Sequence, residues 1–228
     1  KKELKNLTLG IPREYFNDGI ERGVHTVIQN VLKKLKDAGA ILKEISLPHS
    51  EYALPAYYII VPSEVSTNLA RFDSIRFGRR SDTAKTLFET YAQSRKEGFG
   101  DEVLRRIMLG TYALSAGYYE AYYVKAQKVR RLIREDFHRA FTNVDYILGP
   151  TTPTPAFQFG AHKNNPLEMY LEDIYTVAVN LAGIPALSLN AGFTEENGKK
   201  LPVGLQMIAP FMQDFALLAH AQLIEEVI

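Results

Sequence analysis

The sequence predicts an α/β fold in which helices flank a mixed β-sheet in α/β/α layers. A strand, a helix and a second strand follow one another near the start of the chain, which is typical of a sheet with helical crossovers. A long helical stretch fills the middle. Short apolar strands bounded by Gly and Pro then return after Asn143.

The first unit begins with a short strand, Leu7–Pro12, which Gly10 and Pro12 interrupt. Between Val24 and Leu35 apolar residues recur at three- and four-residue spacing, which predicts an amphipathic helix with Gly39 as its C-cap. A second strand, Ala40–Leu47, is closed by Pro48. The two strands are expected to pair in parallel, because a helix connects them.

The middle of the chain, from about Ser50 to Phe141, is predicted to be mostly helical. Glycines at 78, 98, 100 and 110 divide it. The expected helices are Tyr52–Phe72, Thr83–Gly98, Asp101–Leu109 and Ser115–Phe141.

A buried strand, Val144–Leu148, leads into Gly149–Pro155, whose prolines exclude helix and central strand. That segment is therefore expected to be a loop at a strand end. The remaining predicted elements are a helix at Leu167–Leu181, strands at Ala186–Asn190 and Pro202–Ile208, a hairpin at Glu195–Lys199, and a final amphipathic helix at Asp214–Val227.

The composition is that of an ordinary globular protein, with 228 residues, 46% apolar and 23% charged. The net charge of +1 gives no global field that favours nucleic acid or an anionic membrane. There is no cysteine, which excludes disulfides and thiolate chemistry and fits a reducing compartment. We therefore expect a cytoplasmic protein, or one of an organellar matrix or stroma.

Neither end of the chain, nor any run within it, predicts a membrane segment. Apolar runs such as Tyr57–Pro62 are far shorter than the roughly 20 residues that a span needs. The first residues, Lys1–Lys5, lack the apolar region of a signal peptide. They suggest a cut made inside a longer protein.

Recognisable metal, nucleotide and nucleophile motifs are missing from the sequence. The histidines, which lack the spacing of a helical zinc site, are His25, His49, His138, His162 and His220. No phosphate-cradling Gly-rich loop opens a helix, and no Gly-x-Ser-x-Gly turn presents a serine. We expect no metal site and no catalytic residue in this chain.

Several segments, read together and in order, resemble one family over nearly all 228 residues. They are Tyr52–Ile60, Asn68–Asp73, Arg95–Val103, Arg105–Tyr119, Gly149–Pro155, Met169–Val177, Asn180–Pro185 and Leu201–Gln206. They are similar to the A subunits of the tRNA-dependent glutamyl and aspartyl/glutamyl amidotransferases, which are amidase-signature enzymes.

The resemblance implies that residues 1–228 are the C-terminal portion of a single amidase-signature domain. The family's catalytic Lys and two serines would lie before Lys1, so the isolated chain is expected to be inactive. The implied parent activity converts Glu-tRNA(Gln) to Gln-tRNA(Gln) with ammonia from glutamine. The implied partners are the B and C subunits and, through the complex, charged tRNA; ATP and Mg²⁺ belong to the B subunit, and this chain needs no cofactor. Preference for Glu-tRNA or Asp-tRNA stays open.

The resemblance assigns glutamine binding to Tyr57, Arg106 and Asp173. Free glutamine is a zwitterion, so a selective site needs a cation for its α-carboxylate and an anion for its α-ammonium group. Arg106 and Asp173 are the expected pair, and Tyr57 adds an aromatic wall with one hydroxyl. Without the resemblance, these residues have commoner interpretations as ion-paired, surface or packing side chains.

An aromatic stripe and a basic stretch in the sequence each have two possible interpretations. The aromatic stripe Tyr112, Tyr118, Tyr119, Tyr122 and Tyr123 is interpreted as packing, with partner contact as the alternative. The basic stretch between Lys125 and Arg139 is more often a solvated face than a tRNA groove. Rival functions are a different amidase-signature hydrolase and a non-catalytic binding or scaffold chain. Self-association through an uncovered sheet edge is a further hypothesis.

Overall fold

The computed structural model describes residues 4–17, 19–161, 165–196 and 198–228. The chain divides into two compact units. One combines the residues up to Leu54 with Arg130–Ile228, and the other is Pro55–Val129.

The first unit is built on a five-stranded mixed sheet. Its strands are β1 (Thr8–Pro12), β2 (Ile41–Ile45), β3 (Tyr146–Pro150), β4 (Ala186–Glu196) and β5 (Lys199–Ile208). They lie in the order β2-β1-β3-β5-β4. β1 pairs in parallel with β2 and β3, whereas β5 is antiparallel to both β3 and β4. The prediction of a mixed sheet flanked by helices is confirmed.

The crossover between β1 and β2 is helix α1, Arg22–Asp37. Glu21 caps its start, because the Val24 amide donates to Glu21 Oε2 at 3.0 Å. Gly39 follows its end with a φ of 97°, a left-handed conformation that glycine adopts without strain. The predicted apolar face is buried, and each fully buried Leu or Ile stabilises the fold by roughly 1.5–3 kcal/mol. Its buried residues are Val24, Ile28, Val31, Leu32 and Leu35.

The centre of this sheet is β3, in which all five residues are buried. A strand that is covered on both faces needs the continuous apolar run that the sequence shows here. Helix α8, Asp214–Glu225, adds Leu217, Ala221 and Ile224 to the core that α1 and the sheet share. The loop was expected from Gly149, but it begins at Thr151, because Gly149 and Pro150 still pair with Gln206 and Leu205 of β5.

The second unit is helical, as predicted. It contains α3 (Leu87–Gly98) and α4 (Asp101–Ala113), while helices α2 (Ala53–Leu69) and α5 (Lys125–Phe141) extend across its boundaries. Thr86 and Glu89 form a capping box at the start of α3. The helix expected over Ser115–Phe141 is shorter, because a turn with Gly117 at φ 86° and a π-helical segment, Tyr119–Val124, precede α5.

Two other elements depart most from their predicted extents. The helix expected over Leu167–Leu181 is two short ones, α6 (Pro166–Leu171) and α7 (Val177–Ala182), separated by a turn. β4 runs beyond Asn190 to Glu196, because it pairs with β5 along its length across a bulge between Asn190 and Gly192. Asn197 of the predicted hairpin lies outside the described residues.

The predicted aromatic stripe lies partly at the surface. The rings of Tyr112, Tyr118 and Tyr122 contact one another with centres 4.3–6.3 Å apart. Tyr119 stacks on Tyr123 at 5.5 Å. Across the part of the chain that the structure describes, no helix is both long and apolar enough to span a bilayer.

Candidate functional site

Arg106 occupies the middle of α4 with its side chain 26% exposed. Its Nε donates to Glu102 Oε1 at 2.9 Å, one turn earlier on the same helix. Its guanidinium carbon lies 5.5 Å from the centre of the Tyr58 ring on α2. A guanidinium that is held at its Nε and stacked on an aromatic face has a defined plane.

The pKa of Arg106 is raised. Partial burial acts to lower the pKa, since burial disfavours the cation, but the hydrogen bond with Glu102 and the electrostatic interactions with Tyr58, Glu102 and Tyr57 outweigh it. The guanidinium therefore stays charged at any physiological pH.

Glu102 is shared between two arginines. Its Oε1 accepts from Arg106, and its Oε2 pairs with Arg105 three residues later. The Glu102 and Arg105 side chains are 43% and 48% exposed, whereas that of Arg106 is less exposed. The same carboxylate thus contacts one outward arginine and one partly buried arginine.

Tyr57 lies on α2 beside Tyr58, with ring centres 5.2 Å apart and ring planes at 77°. Tyr57 also contributes to the raised pKa of Arg106, so two of the predicted binding residues interact. We call Tyr57, Tyr58, Glu102 and Arg106 the arginine cluster. A fixed guanidinium beside a tyrosine hydroxyl can bind a carboxylate through paired, charge-assisted hydrogen bonds.

Asp173, the third predicted residue, lies in the first unit in the turn between α6 and α7. Its backbone carbonyl accepts from the amides of Thr176 and Val177 at 3.0 and 3.1 Å. The turn is tied to the loop after β3 on one side of Asp173 and to strand β5 on the other. Glu172 accepts from the Thr154 hydroxyl at 2.8 Å, and the Tyr175 carbonyl accepts from Gln206 Nε2 at 3.0 Å.

These ties place the Asp173 turn at the end of β3. Thr154 belongs to the loop after β3, and Gln206 lies on β5 opposite Gly149. The ring of Tyr175 packs on that of Tyr15, with centres 4.9 Å apart. The Tyr15 hydroxyl is buried and has no hydrogen-bond partner among the described residues. Asp173 thus lies in a turn that is held by the hydrogen bonds of the Glu172 side chain and the Tyr175 carbonyl.

Sequence reasoning did not single out Tyr58, Glu102 or Gln206. The four-residue spacing of Glu102 and Arg106 is a readable signal for an ion pair on a helix. Nothing local marks Tyr58 or Gln206, because their partners lie on other elements.

Two of the histidines have partners within the fold. His49 Nδ1 lies 3.0 Å from the buried carboxylate of Asp136, and His220 Nδ1 lies 2.8 Å from the Tyr146 hydroxyl. His162 lies outside the described residues. Within residues 4–17, 19–161, 165–196 and 198–228, no three His, Asp or Glu side chains cluster as metal ligands.

A cavity of about 1000 Å³ opens in the first unit beside the loop after β3, and Thr154 and Glu172, which anchor the Asp173 turn, belong to its lining. Among the described residues, none of the predicted binding side chains lines it. Its charged lining is mainly acidic, with Glu21, Glu172, Glu195 and Glu196 against Lys199. The cavity therefore provides no separate support for the arginine cluster as a binding site.

The chain belongs to the amidase family, whose model matches residues 1–218. Among curated relatives, it is 56% identical over 225 residues to the A subunit of glutamyl-tRNA(Gln) amidotransferase from Heliobacterium modesticaldum. It is 54% identical over 215 residues to the A subunit of the Pseudomonas fluorescens glutamyl-tRNA(Gln) amidotransferase. These matches cover 99% and 94% of this chain but only 45% and 44% of the relatives, so the chain spans under half of their length.

Solved structures agree on the fold. The crystal structure of the glutamyl-tRNA(Gln) amidotransferase A subunit from Thermotoga maritima matches 94% of this chain, and 41% of its own, with a TM-score of 0.68 and 37% identity. A bacterial aryl acylamidase of the amidase-signature family matches with a TM-score of 0.71 at 15% identity, over 99% of this chain and 44% of its own. The predicted resemblance to amidotransferase A subunits and the amidase-signature fold are confirmed.

Proposed function

We propose that this chain is the glutamine-binding, C-terminal portion of an amidotransferase A subunit, within one amidase-signature domain. The parent enzyme would release ammonia from glutamine and use it to convert Glu-tRNA(Gln) to Gln-tRNA(Gln). The observation that carries this proposal is the arginine cluster, in which a charged, partly buried guanidinium is held by Glu102 and Tyr58 beside Tyr57.

Arg106 is proposed to bind the α-carboxylate of glutamine. Its Nε is already used by Glu102, which orients the planar fork, and a planar fork matches a carboxylate better than a lysine ammonium does. Tyr57 would orient the substrate with its hydroxyl and ring. The family resemblance assigns the α-ammonium group to Asp173, whose turn is anchored through Glu172 and Tyr175.

The chemistry itself is proposed to be acyl transfer by residues outside this chain. A serine would attack the side-chain amide carbon, ammonia would leave, and water would release glutamate. The present residues would bind and position the substrate, which contributes to the rate by fixing the reacting atoms in place. The isolated chain would hydrolyse nothing.

The proposed partners are the B and C subunits, with charged tRNA reached through the complex. ATP and Mg²⁺ would act at the B subunit, and this chain would bind no cofactor of its own. The assembly is proposed to work in the cytoplasm, or in an organellar matrix or stroma.

A comparison of substrates tests the proposed role. In a full-length protein that contains this sequence, kcat/KM is measured for glutamine and for two analogues, one without the α-carboxylate and one without the α-ammonium group. Loss of either charged end should lower kcat/KM by at least roughly tenfold, because a charge-assisted hydrogen bond is worth about 1.5–3 kcal/mol. Equal use of all three amides would indicate a hydrolase of another small amide.

The isolated chain supplies a second test. Titration of this chain with glutamine in a calorimeter should show weak binding or none, and incubation should release no ammonia. Hydrolysis of glutamine by the chain alone would contradict the proposal that the catalytic residues lie outside this chain.

A further inference from the structure

The backbones of α2 and α4 meet at Pro62 and Gly110. A Cβ built on Gly110 would lie 1.9 Å from the carbonyl oxygen of Pro62, 2.4 Å from its carbonyl carbon and 2.8 Å from the nitrogen of Ser63. All three are main-chain atoms, so no rotation of a side chain relieves the overlap. Only glycine therefore fits at position 110 with the present separation of the two helices.

This crossing lies one turn from the arginine cluster on both helices. Tyr58 precedes Pro62 by four residues, and Arg106 precedes Gly110 by four residues, which is about 6 Å along each helix axis. The Arg106 guanidinium carbon lies 5.5 Å from the centre of the Tyr58 ring, and the neighbouring Tyr57 also interacts with Arg106. The separation of the helices at the crossing sets how far Arg106 stands from the two tyrosines.

Pro62 defines the α2 side of the crossing. Pro62 lies inside α2 and has no amide hydrogen for the carbonyl four residues earlier, which is that of Tyr58. The next residue, Ser63, is 1% exposed, and its hydroxyl donates to the Ile59 carbonyl at 2.7 Å. The segment of α2 that faces Gly110 is thus fixed by its own local structure.

We infer that Gly110 is a positioning residue for glutamine recognition: its missing side chain lets α4 approach Pro62 closely enough for Arg106 to meet Tyr57 and Tyr58. The inference rests on the proposed function, because it concerns how the same site is assembled. Gly110 itself touches no substrate in this account. Any added side chain forces the helices apart and moves the guanidinium away from the tyrosines.

The test is made in a full-length protein that contains this sequence. Gly110→Ala should raise the KM for glutamine at least roughly tenfold and change kcat less than about threefold, since the loss is in substrate binding rather than in chemistry. Amidation supplied with ammonium salt instead of glutamine should be unchanged. Gly98→Ala is the matched control, because Gly98 lies in helix α3 with open space at its Cβ position, and its kinetics should equal those of the wild type.

A second variant covers the case in which Gly110→Ala does not fold. Pro62→Ala adds no atoms to the crossing but gives α2 an amide hydrogen at position 62, so it should also raise the KM for glutamine. A wild-type KM in folded Gly110→Ala, or in Pro62→Ala where Gly110→Ala does not fold, would overturn the inference. Arg106→Ala distinguishes failure of the proposed function from failure of the inference about Gly110. If Arg106→Ala leaves the KM for glutamine unchanged, the proposed function is wrong. If Arg106→Ala raises the KM but the variants at the crossing do not, only the role of Gly110 is wrong.

Discussion

The Nε of Arg106 donates to the carboxylate of Glu102 at 2.9 Å, one turn apart on the same helix. The contact neutralises a partly buried cation and fixes the direction of its fork. This contact would orient the proposed carboxylate-binding group before a ligand arrives, which would reduce the ordering cost of binding.

Replacing Glu102 tests this preparation. Glu102→Gln keeps the shape of the side chain but removes its charge, so Arg106 should lose part of its orientation. We expect the KM for glutamine to rise by roughly three- to tenfold with little change in kcat, measured by steady-state glutaminase assays of the full-length protein.

Glu135→Gln is the matched control for that variant. Glu135 pairs with Arg131 at 2.8 Å with the same type of helical spacing, but both side chains are well exposed. Such surface pairs contribute little, so kinetics and stability should stay at wild-type values. An equal rise in KM for both variants would show that Glu102 acts only through net charge.

Asp136 is predicted to be a main stabilising residue of the first unit. Its carboxylate is 1% exposed and accepts from the His49 amide at 2.8 Å, from the His49 ring and from Arg139. Asp136→Asn removes the charge and offers an amide donor where an acceptor is needed. Urea denaturation of the chain should show a loss of about 1–3 kcal/mol in the free energy of unfolding. A loss no larger than that of Glu135→Gln would contradict this role.

Glu14 should make the free energy of unfolding decrease at acid pH. Its burial acts to raise the pKa, but the hydrogen bonds from Ser46 and the Leu47 amide, at 2.5 and 3.0 Å, outweigh burial and hold the pKa below the ordinary value. A carboxylate whose pKa is lowered by folding stabilises the fold above its unfolded pKa of about 4.3, and that contribution is lost as the pH falls through the lowered value.

The measurement is the free energy of unfolding between about pH 7 and pH 3 for wild type and Glu14→Gln. The difference between the two proteins should be constant above about pH 5 and shrink toward acid pH, as protonation removes the advantage of the wild type. A difference that grows as the pH falls would mean that the sign of the shift is wrong.

Regular elements were predictable wherever one local pattern fixes them. The apolar spacing of α1 and the buried run of β3 located these elements from neighbouring residues alone, but the expectation that the strand ends at Leu148 was wrong, because Gly149 and Pro150 pair with β5. The break at Asp173 was not predictable, because the turn is held by Thr154 and Gln206, which are distant in the chain. The π-helical turn before α5 likewise has no simple periodic signal.

In the candidate site, too, some features were predictable from the sequence and others depend on residues that are distant in the chain. Tyr57 and Arg106 were predicted from the family resemblance, and Tyr57 contributes to the raised pKa of Arg106. The roles of Tyr58 and Gly110 depend on how α2 and α4 cross, which the spacing within either helix does not specify. The binding roles of Tyr57, Arg106 and Asp173 stay predictions.

The most direct test compares two adjacent arginines on α4 in a full-length protein. Arg106→Ala removes the partly buried guanidinium of the cluster, whereas Arg105→Ala removes a more exposed one that shares Glu102. Steady-state kinetics should show kcat/KM for glutamine lowered by roughly 10- to 100-fold for Arg106→Ala and by less than about threefold for Arg105→Ala. Equal effects of the two variants, or unchanged glutamine use by Arg106→Ala, would contradict the assignment of the glutamine site.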